Sequence, residues 1–492
     1  MFACAAVLVA AVWLFTLLFR THRSPNFPPG PRPIPIFGNL LELDLENPLA
    51  DLRRLSKQYG NVHSLFIGSR PAVVLHGFKA IKEALVNKGN DFSGRAQDLM
   101  VNHAIHPIAH APGVVLADYS SSWRERRRFG LMTLRNYGLG KDSMEQRILG
   151  EVNTLIKLME QSLGTSISPQ LIFHSAASYI ISQILFAQQY DYEHDFTKFF
   201  VGVFLEVSKI FNGRWGMLYD SFPVLRNLPL PFRRAFTLLQ GAHEKHRKIL
   251  SENKTTRVPQ KPRHLIDCYL DELEKVGDGS SFSEDNLYSL LLDFHFAGTD
   301  TTANTLLTCF LYLMSYPEVQ ERCQKEIDEV LDGKDQVSFE DRHEMHYPQA
   351  VLHEVQRMAD VAPLSVFHKV TRDTELMGFS IPKGTIIIPN LSSTLTEDGY
   401  WKDPHHFNPD NFLNDEGQFI KPENLIPFSA GPRTCLGENL ARMELFLIAV
   451  TLLRRFRFIW PEDGGTPDLT PQFGTIQTPK PYRMKVQLRP TA

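Results

Sequence analysis

Cys435 lies in the run Phe428-Ser429-Ala430-Gly431-Pro432-Arg433-Thr434-Cys435-Leu436-Gly437, just ahead of an apolar helical stretch from Leu440 to Phe456. A cysteine at the mouth of a helix meets free backbone N–H groups and the positive end of the helix dipole, which favour thiolate over thiol. Gly431 and Gly437 lack the side chains that would hold a flat ligand away from the backbone. Arg433 offers a planar fork of donors to an anionic group. A thiolate, a flat partner and a carboxylate together describe a haem held by cysteine. An axial thiolate pushes electron density onto iron and favours O–O cleavage. A buried free cysteine beside a helix cap is the plainer reading of the same residue.

A second group is Ala297-Gly298-Thr299-Asp300-Thr301-Thr302, inside an apolar helical pattern that runs from Leu287 to Tyr316 and stops at Pro317. Local propensity opposes it. Glycine costs about 1 kcal/mol against alanine in a helix interior, and threonine loses rotamer freedom there. Threonine hydroxyls also bond back to the preceding turn. A local rule broken in mid-helix marks a candidate functional site, with a packed kink as the alternative. Trp123 and Arg127 share a helix face one turn apart, and both carry donors. Glu354 and Arg357 place opposite charges three residues apart, a weak signal that Glu125 and Arg128 repeat.

The elements that must position these groups are mostly helical. Helical patterns cover Leu287–Tyr316, Glu318–Leu331, Tyr347–Asp360 and Leu440–Phe456. Strand-like runs are few: Val62–Ile67 with Ala72–Leu75, then Thr385–Leu391 and Tyr482–Leu488. The chain has 492 residues, 43% of them hydrophobic, enough for one large domain or two ordinary ones. Charge is nearly balanced, 52 Lys+Arg against 55 Asp+Glu, which gives no reason to expect nucleic acid as a partner. The five cysteines are scattered without a CxxC pair, which argues against a disulfide framework and against zinc.

The run around Cys435 resembles the Phe-x-x-Gly-x-Arg-x-Cys-x-Gly signature of the cytochrome P450 family at all five fixed positions. The resemblance implies a single large domain, mostly α with small β-sheets, at residues 36–492. It implies haem b with Cys435 as the axial ligand. Thr301 would hydrogen-bond the bound dioxygen, and Asp300, where the family often carries Glu, would feed protons from water. Arg433, Trp123, Arg127, Arg95 and His368 match the family's contacts to the haem propionates. The Glu354–Arg357 pair is internal in the family and often gains a further arginine from a Pro-x-Arg-Phe segment. Here that segment reads Pro409-Asp410-Asn411-Phe412, leaving Asn411 or a backbone carbonyl to substitute.

The texture is similar to that of the animal microsomal family 2, which oxidises drug-like compounds, fatty acids and steroids. The implied reaction inserts one atom of dioxygen into a small apolar substrate, with electrons from NADPH passed by NADPH-cytochrome P450 reductase and with cytochrome b5 as a further partner. Arg124, Arg126, Arg128 and Arg135 would dock the acidic donor. The substrate would meet Val101 to Val115, Phe294, Ala297, Thr301, Val361 to Val366, Thr475 and Ile476; His295 is structural or lines a channel. A haem-thiolate isomerase, needing no reductase, and a haem carrier or sensor without turnover are the rival readings.

Met1 to Phe19 carries no charge. As a helix this run spans about 28 Å, close to the ~30 Å hydrocarbon core of a bilayer. Its bulky C-terminal flank favours a retained anchor at 1–19 over a cleaved signal peptide. Arg20 and Arg23 follow it, so the main body faces the cytosol. Residues 20–35 are rich in proline and form a stiff spacer. The expected location is the endoplasmic reticulum membrane.

Overall fold

The computed structural model describes residues 23–490 except 106–111, 138–141, 188–194, 213 and 278–280. The expected anchor at 1–19 and the middle of the 101–115 stretch lie outside the described residues. Among the described residues no helix is long and apolar enough to cross a membrane.

The helices that build the site, numbered in chain order, are α1 (Ser121–Tyr137), α2 (Pro169–Phe186), α3 (Asp195–Asn212), α4 (Phe232–Thr256), α5 (Glu284–Ser315), α6 (Pro317–Val330), α7 (His346–Ala359) and α8 (Glu438–Arg455). The longest, α5, starts where Ser283 accepts a hydrogen bond from the Asn286 amide, with Glu284 and Asp285 on its positive end. It ends against Pro317, which opens α6. From Asn286 to Met314 it is buried almost all round, as a helix through the middle of a core must be. Gly437 precedes helix α8, and Arg454 and Arg455 stand in its last turn, at the negative end of its dipole.

Among the described residues nine short strands form three small sheets. The largest orders β1 (Val62–Ile67), β2 (Arg70–His76), β7 (Ile386–Asn390) and β4 (His368–Lys369) side by side. β1 and β2 form a hairpin with Val62 opposite Leu75, and β2 runs parallel to β7 with Ala72 opposite Ile386. β3 (Ser166–Ile167), β9 (Met484–Leu488) and β8 (Phe456–Ile459) make the second sheet, and β5 (Thr374–Leu376) pairs with β6 (Phe379–Ile381). The main apolar core lies among the helices, with two smaller clusters on the faces of the first sheet. This is the mostly helical, small-sheet architecture expected from the sequence.

Candidate active site

Cys435 hangs from a loop fixed at both ends. Its amide donates to the Phe428 carbonyl at 3.0 Å, and α8 starts three residues later. Its side chain is open to a cleft although protein atoms enclose it. Burial pushes the thiol up; the amides of Gly437 and Glu438 and the charge of Arg127 pull it down, against the carboxylate of Glu438. The helix mouth therefore acts on the sulfur as the sequence suggested, but burial outweighs it. A metal ion would complete the ionisation, since a coordinating thiol is deprotonated outright.

The two glycines of the loop serve different purposes. A Cβ on Gly431 would fall 1.7 Å from the Leu85 carbonyl oxygen, and its φ is +73°. Close packing on a neighbouring turn of chain dictates that glycine, not a flat ligand. Gly437 would meet only the Cys435 sulfur, at 3.9 Å, and its face is open.

Beside the cysteine lies a concentration of positive charge. Arg433 donates to the carbonyls of Ser93 (2.8 Å) and Ala117 (2.8 Å), and its guanidinium lies 3.8 Å from the centre of the Trp123 ring. Arg95 reaches the carbonyls of Val366 (2.7 Å) and Phe367 (2.9 Å). Burial first, then mutual repulsion, pushes Arg433 down to about 8 and Arg95 to about 9. Arg127 is lowered by burial and donates to the Thr434 carbonyl. His368 gives or takes a hydrogen bond with the Phe92 carbonyl at 2.6 Å, while its buried Nε2 has no partner. One carboxylate, Asp118, faces this group, and Lys369 already holds it at 2.6 Å. Buried cations without matching anions are costly, so the cluster suits an acidic ligand. The indole N–H of Trp123 is bound to the Val114 carbonyl at 3.0 Å. Trp123 also supplies Arg433 with a ring face.

Helix α5 passes the same region. In its buried middle, Ala297 is exposed and Thr301 half-buried, so this stretch faces a cleft. Gly130 of α1 packs with its bare face toward the Phe294 ring of α5 and toward Leu436, which joins three elements beside Cys435. The glycine at 298 answers a neighbour: a Cβ there would lie 2.9 Å from Ile181 of α2. Thr299 and Thr301 bond back to the carbonyls of His295 and Ala297, each at 2.7 Å. Asp300 is turned away from the cleft. Its carboxylate meets His174 Nε2 (3.2 Å), Ser208 Oγ (3.0 Å) and Asn304 Nδ2 (3.0 Å). His295 is structural, between Ser178 and His246.

Behind the cleft, Glu444 of α8 hydrogen-bonds Thr302 and is raised to about 8 by burial. The folded state thus binds a proton that the unfolded chain releases above the ordinary glutamate range. Stability contributed by Glu444 is full below about 4.5 and declines as pH rises toward 8, at no more than about 1.4 kcal/mol per pH unit. Unfolding midpoints of the Glu444→Gln variant, measured across that window, should show a flatter pH dependence than the parent.

Arg357 completes the frame. It grips Glu354 with two bonds of 2.6 Å and donates to the carbonyls of Leu395, Pro404 and His406. Glu354 in turn accepts from the Asn408 amide at 2.7 Å and from Asn411 at 3.5 Å. The Asn408 amide, with Asn411 at longer range, donates to Glu354 where the missing arginine would, while the backbone carbonyls accept from Arg357. Of the expected docking arginines, Arg124, Arg128 and Arg135 are exposed; Arg126 is buried on the carbonyls of Gly113 and Ser281 and leaves that face.

A cysteine at a helix mouth, a buried cationic well and a long helix opened at one face define a class of protein, one that holds a flat anionic cofactor over sulfur. Comparison with known proteins agrees. The Cytochrome P450 family pattern matches residues 28–486. Cytochrome P450 2D20 of Mesocricetus auratus is 40% identical over 97% of both chains. Cytochrome P450 2F2 of Mus musculus is 39% identical over 94% of both, and cytochrome P450 2B4 of Oryctolagus cuniculus 38% identical over 99% of this chain and 100% of its own. The chain belongs to the cytochrome P450 family. It is a haem-thiolate monooxygenase that takes electrons from NADPH through a flavoprotein reductase, uses dioxygen and acts on small apolar substrates.

Proposed function

We propose that Cys435 is the axial ligand and that Arg433, Arg95, Arg127 and His368 hold the propionates. The observation that carries this reading is the cationic well with its unpartnered His368 Nε2 beside the cysteine. Trp123 keeps Arg433 in place through its ring. Bound there, haem supplies the oxygen activation that the protein's own side chains lack. The chain's residues seat it, exclude water from its apolar side and manage protons. Thr301 holds its hydroxyl on the open face of α5, bonded to the Ala297 carbonyl, from where it would hold or pass a proton in the cleft. Asp300 stands one residue back as the acid that supplies it.

The catalytic domain then spans 36–492, behind the linker at 20–35 and the anchor at 1–19, in the endoplasmic reticulum membrane and facing the cytosol. An apolar patch supports contact with lipid. Ile34, Ile36, Phe37, Leu41, Val224 and Leu228 are all exposed, and Phe37 meets Phe222 edge-on, 5.4 Å between ring centres. Arg124, Arg128 and Arg135 present charge to the acidic reductase and to cytochrome b5. Substrates are drug-like compounds, fatty acids or steroids.

Turnover with reductase and NADPH against such a panel, read by mass spectrometry, tests the reading. The expected product is heavier by one oxygen atom. NADPH-independent rearrangement of a peroxide would move the protein to the isomerase class. Thr301→Ala should keep haem bound while product per NADPH falls by about tenfold or more and peroxide rises. Unchanged coupling would remove Thr301 from proton handling.

A further inference from the structure

His174 lies on α2, fully buried, with both ring nitrogens engaged. Nδ1 is 2.8 Å from the Gln170 carbonyl oxygen, which can only accept, so Nδ1 carries a hydrogen. Nε2 faces a carboxylate oxygen of Asp300 at 3.2 Å. A neutral ring protonated at Nδ1 would bring a lone pair against a carboxylate, and burial makes that contact repulsive. The contact becomes a hydrogen bond only if a second proton sits between the two, on Nε2 or on the carboxyl.

The surroundings supply no other counter-charge. Asp300 faces His174 from α2, Ser208 from α3 and Asn304 from its own helix. The nearby His246 of α4 reaches His295 instead. Among the described residues no lysine or arginine is paired with Asp300, which is 1% exposed. A lone buried carboxylate there would be strongly disfavoured.

We propose that His174 and Asp300 form one proton-holding unit behind Thr301, with His174 as the positioning residue that keeps Asp300 supplied with a proton. This rests on the reading of Asp300 as the proton donor. The balance is simple. The resting unit is neutral and holds one shared proton. Delivery to the cleft leaves a neutral imidazole against a carboxylate, net −1, and water returns the proton; no electron moves. Repulsion in the depleted state drives the refilling. Sequence alone shows a lone histidine in an apolar helix, more often a core residue than a functional one.

His295 and His246 give an internal control. Both are buried, His295 bonds to Ser178 and to His246, and burial lowers His295 to about 3 and His246 well below its ordinary value. Those two rings should therefore be neutral at pH 7.

The test is nitrogen NMR of the histidine rings and carbon NMR of the aspartate carboxyls, both isotope-labelled, in the diamagnetic ferrous carbon-monoxide holoenzyme, full chain. The His174 signal is assigned by its loss in His174→Gln, the Asp300 signal by its loss in Asp300→Asn. Expected is either a doubly protonated His174 ring or a protonated Asp300 carboxyl, with His295 and His246 neutral. A neutral His174 ring beside an ionised Asp300 overturns the proposal. Product per NADPH then separates the two layers. Both variants should lose about tenfold. Loss in Asp300→Asn without loss in His174→Gln overturns the unit and leaves Asp300 as donor. No loss in Asp300→Asn overturns the donor role itself.

Discussion

Cys435→Ala should abolish the thiolate-type carbon monoxide spectrum of the reduced protein and take NADPH-dependent oxidation to background. Two steps lead there. Of the other described cysteines, Cys268 sits within the helix Leu265–Val276 rather than at its start, and Cys309 and Cys323 are buried in the helical core, with burial raising Cys309 to about 12 and Cys323 well above its ordinary value. Neither has the open face and helix-mouth amides that Cys435 has. The cationic well is independent of the sulfur, because its bonds run to the carbonyls of Ser93, Ala117, Val366 and Phe367. Cys435→Ala is therefore expected to keep the fold and some capacity to bind haem while losing the thiolate signature. A reduced carbon monoxide spectrum unchanged from the parent would show that another group ligates iron.

How much of this could be read from the chain depends on the kind of signal. Helices α5 and α8 were legible because apolar residues dominate both and Pro317 ends α5. β3, β4, β5 and β6, two or three residues each, are too short to show a periodicity, and β3 pairs with β9, more distant in the chain than any local pattern can reveal. The cysteine loop was legible as a motif, yet the reason for Gly431 was not, because Leu85 is remote in sequence. Asp300 is more instructive. Adjacent residues in a helix point about 100° apart. If Ala297 and Thr301 open to the cleft, Asp300 must turn toward another helix, as Asn304 one turn later also does. Writing Asp300-Thr301 as a consecutive pair hides that divergence. His174 and Ser208, which receive the carboxylate, have no local mark at all.

Arg357→Ala should be the most damaging single change outside the cysteine loop. Both partners of the Glu354–Arg357 pair have fully buried side chains. Removing one partner of such a pair costs about 3–5 kcal/mol, because the other charge stays buried without compensation. Burial already raises Glu354, and Arg357 is the chief group opposing that. Total stability of a folded domain is only about 5–15 kcal/mol, so the variant should accumulate poorly and hold little haem. Two explanations predict different double variants. If the pair matters mainly as opposite charges, Glu354→Leu with Arg357→Met should recover most of the loss, as apolar replacement of a buried pair often does. If Arg357 matters as a clamp on the carbonyls of Leu395, Pro404 and His406, those oxygens stay unpaired in the double variant too. The geometry favours the clamp, since those three bonds tie the end of α7 to the segment that leads toward the cysteine loop. Melting temperature and haem content of the two single variants and the double variant should show recovery of less than half. Full recovery in the double variant would reduce Arg357 to a charge partner.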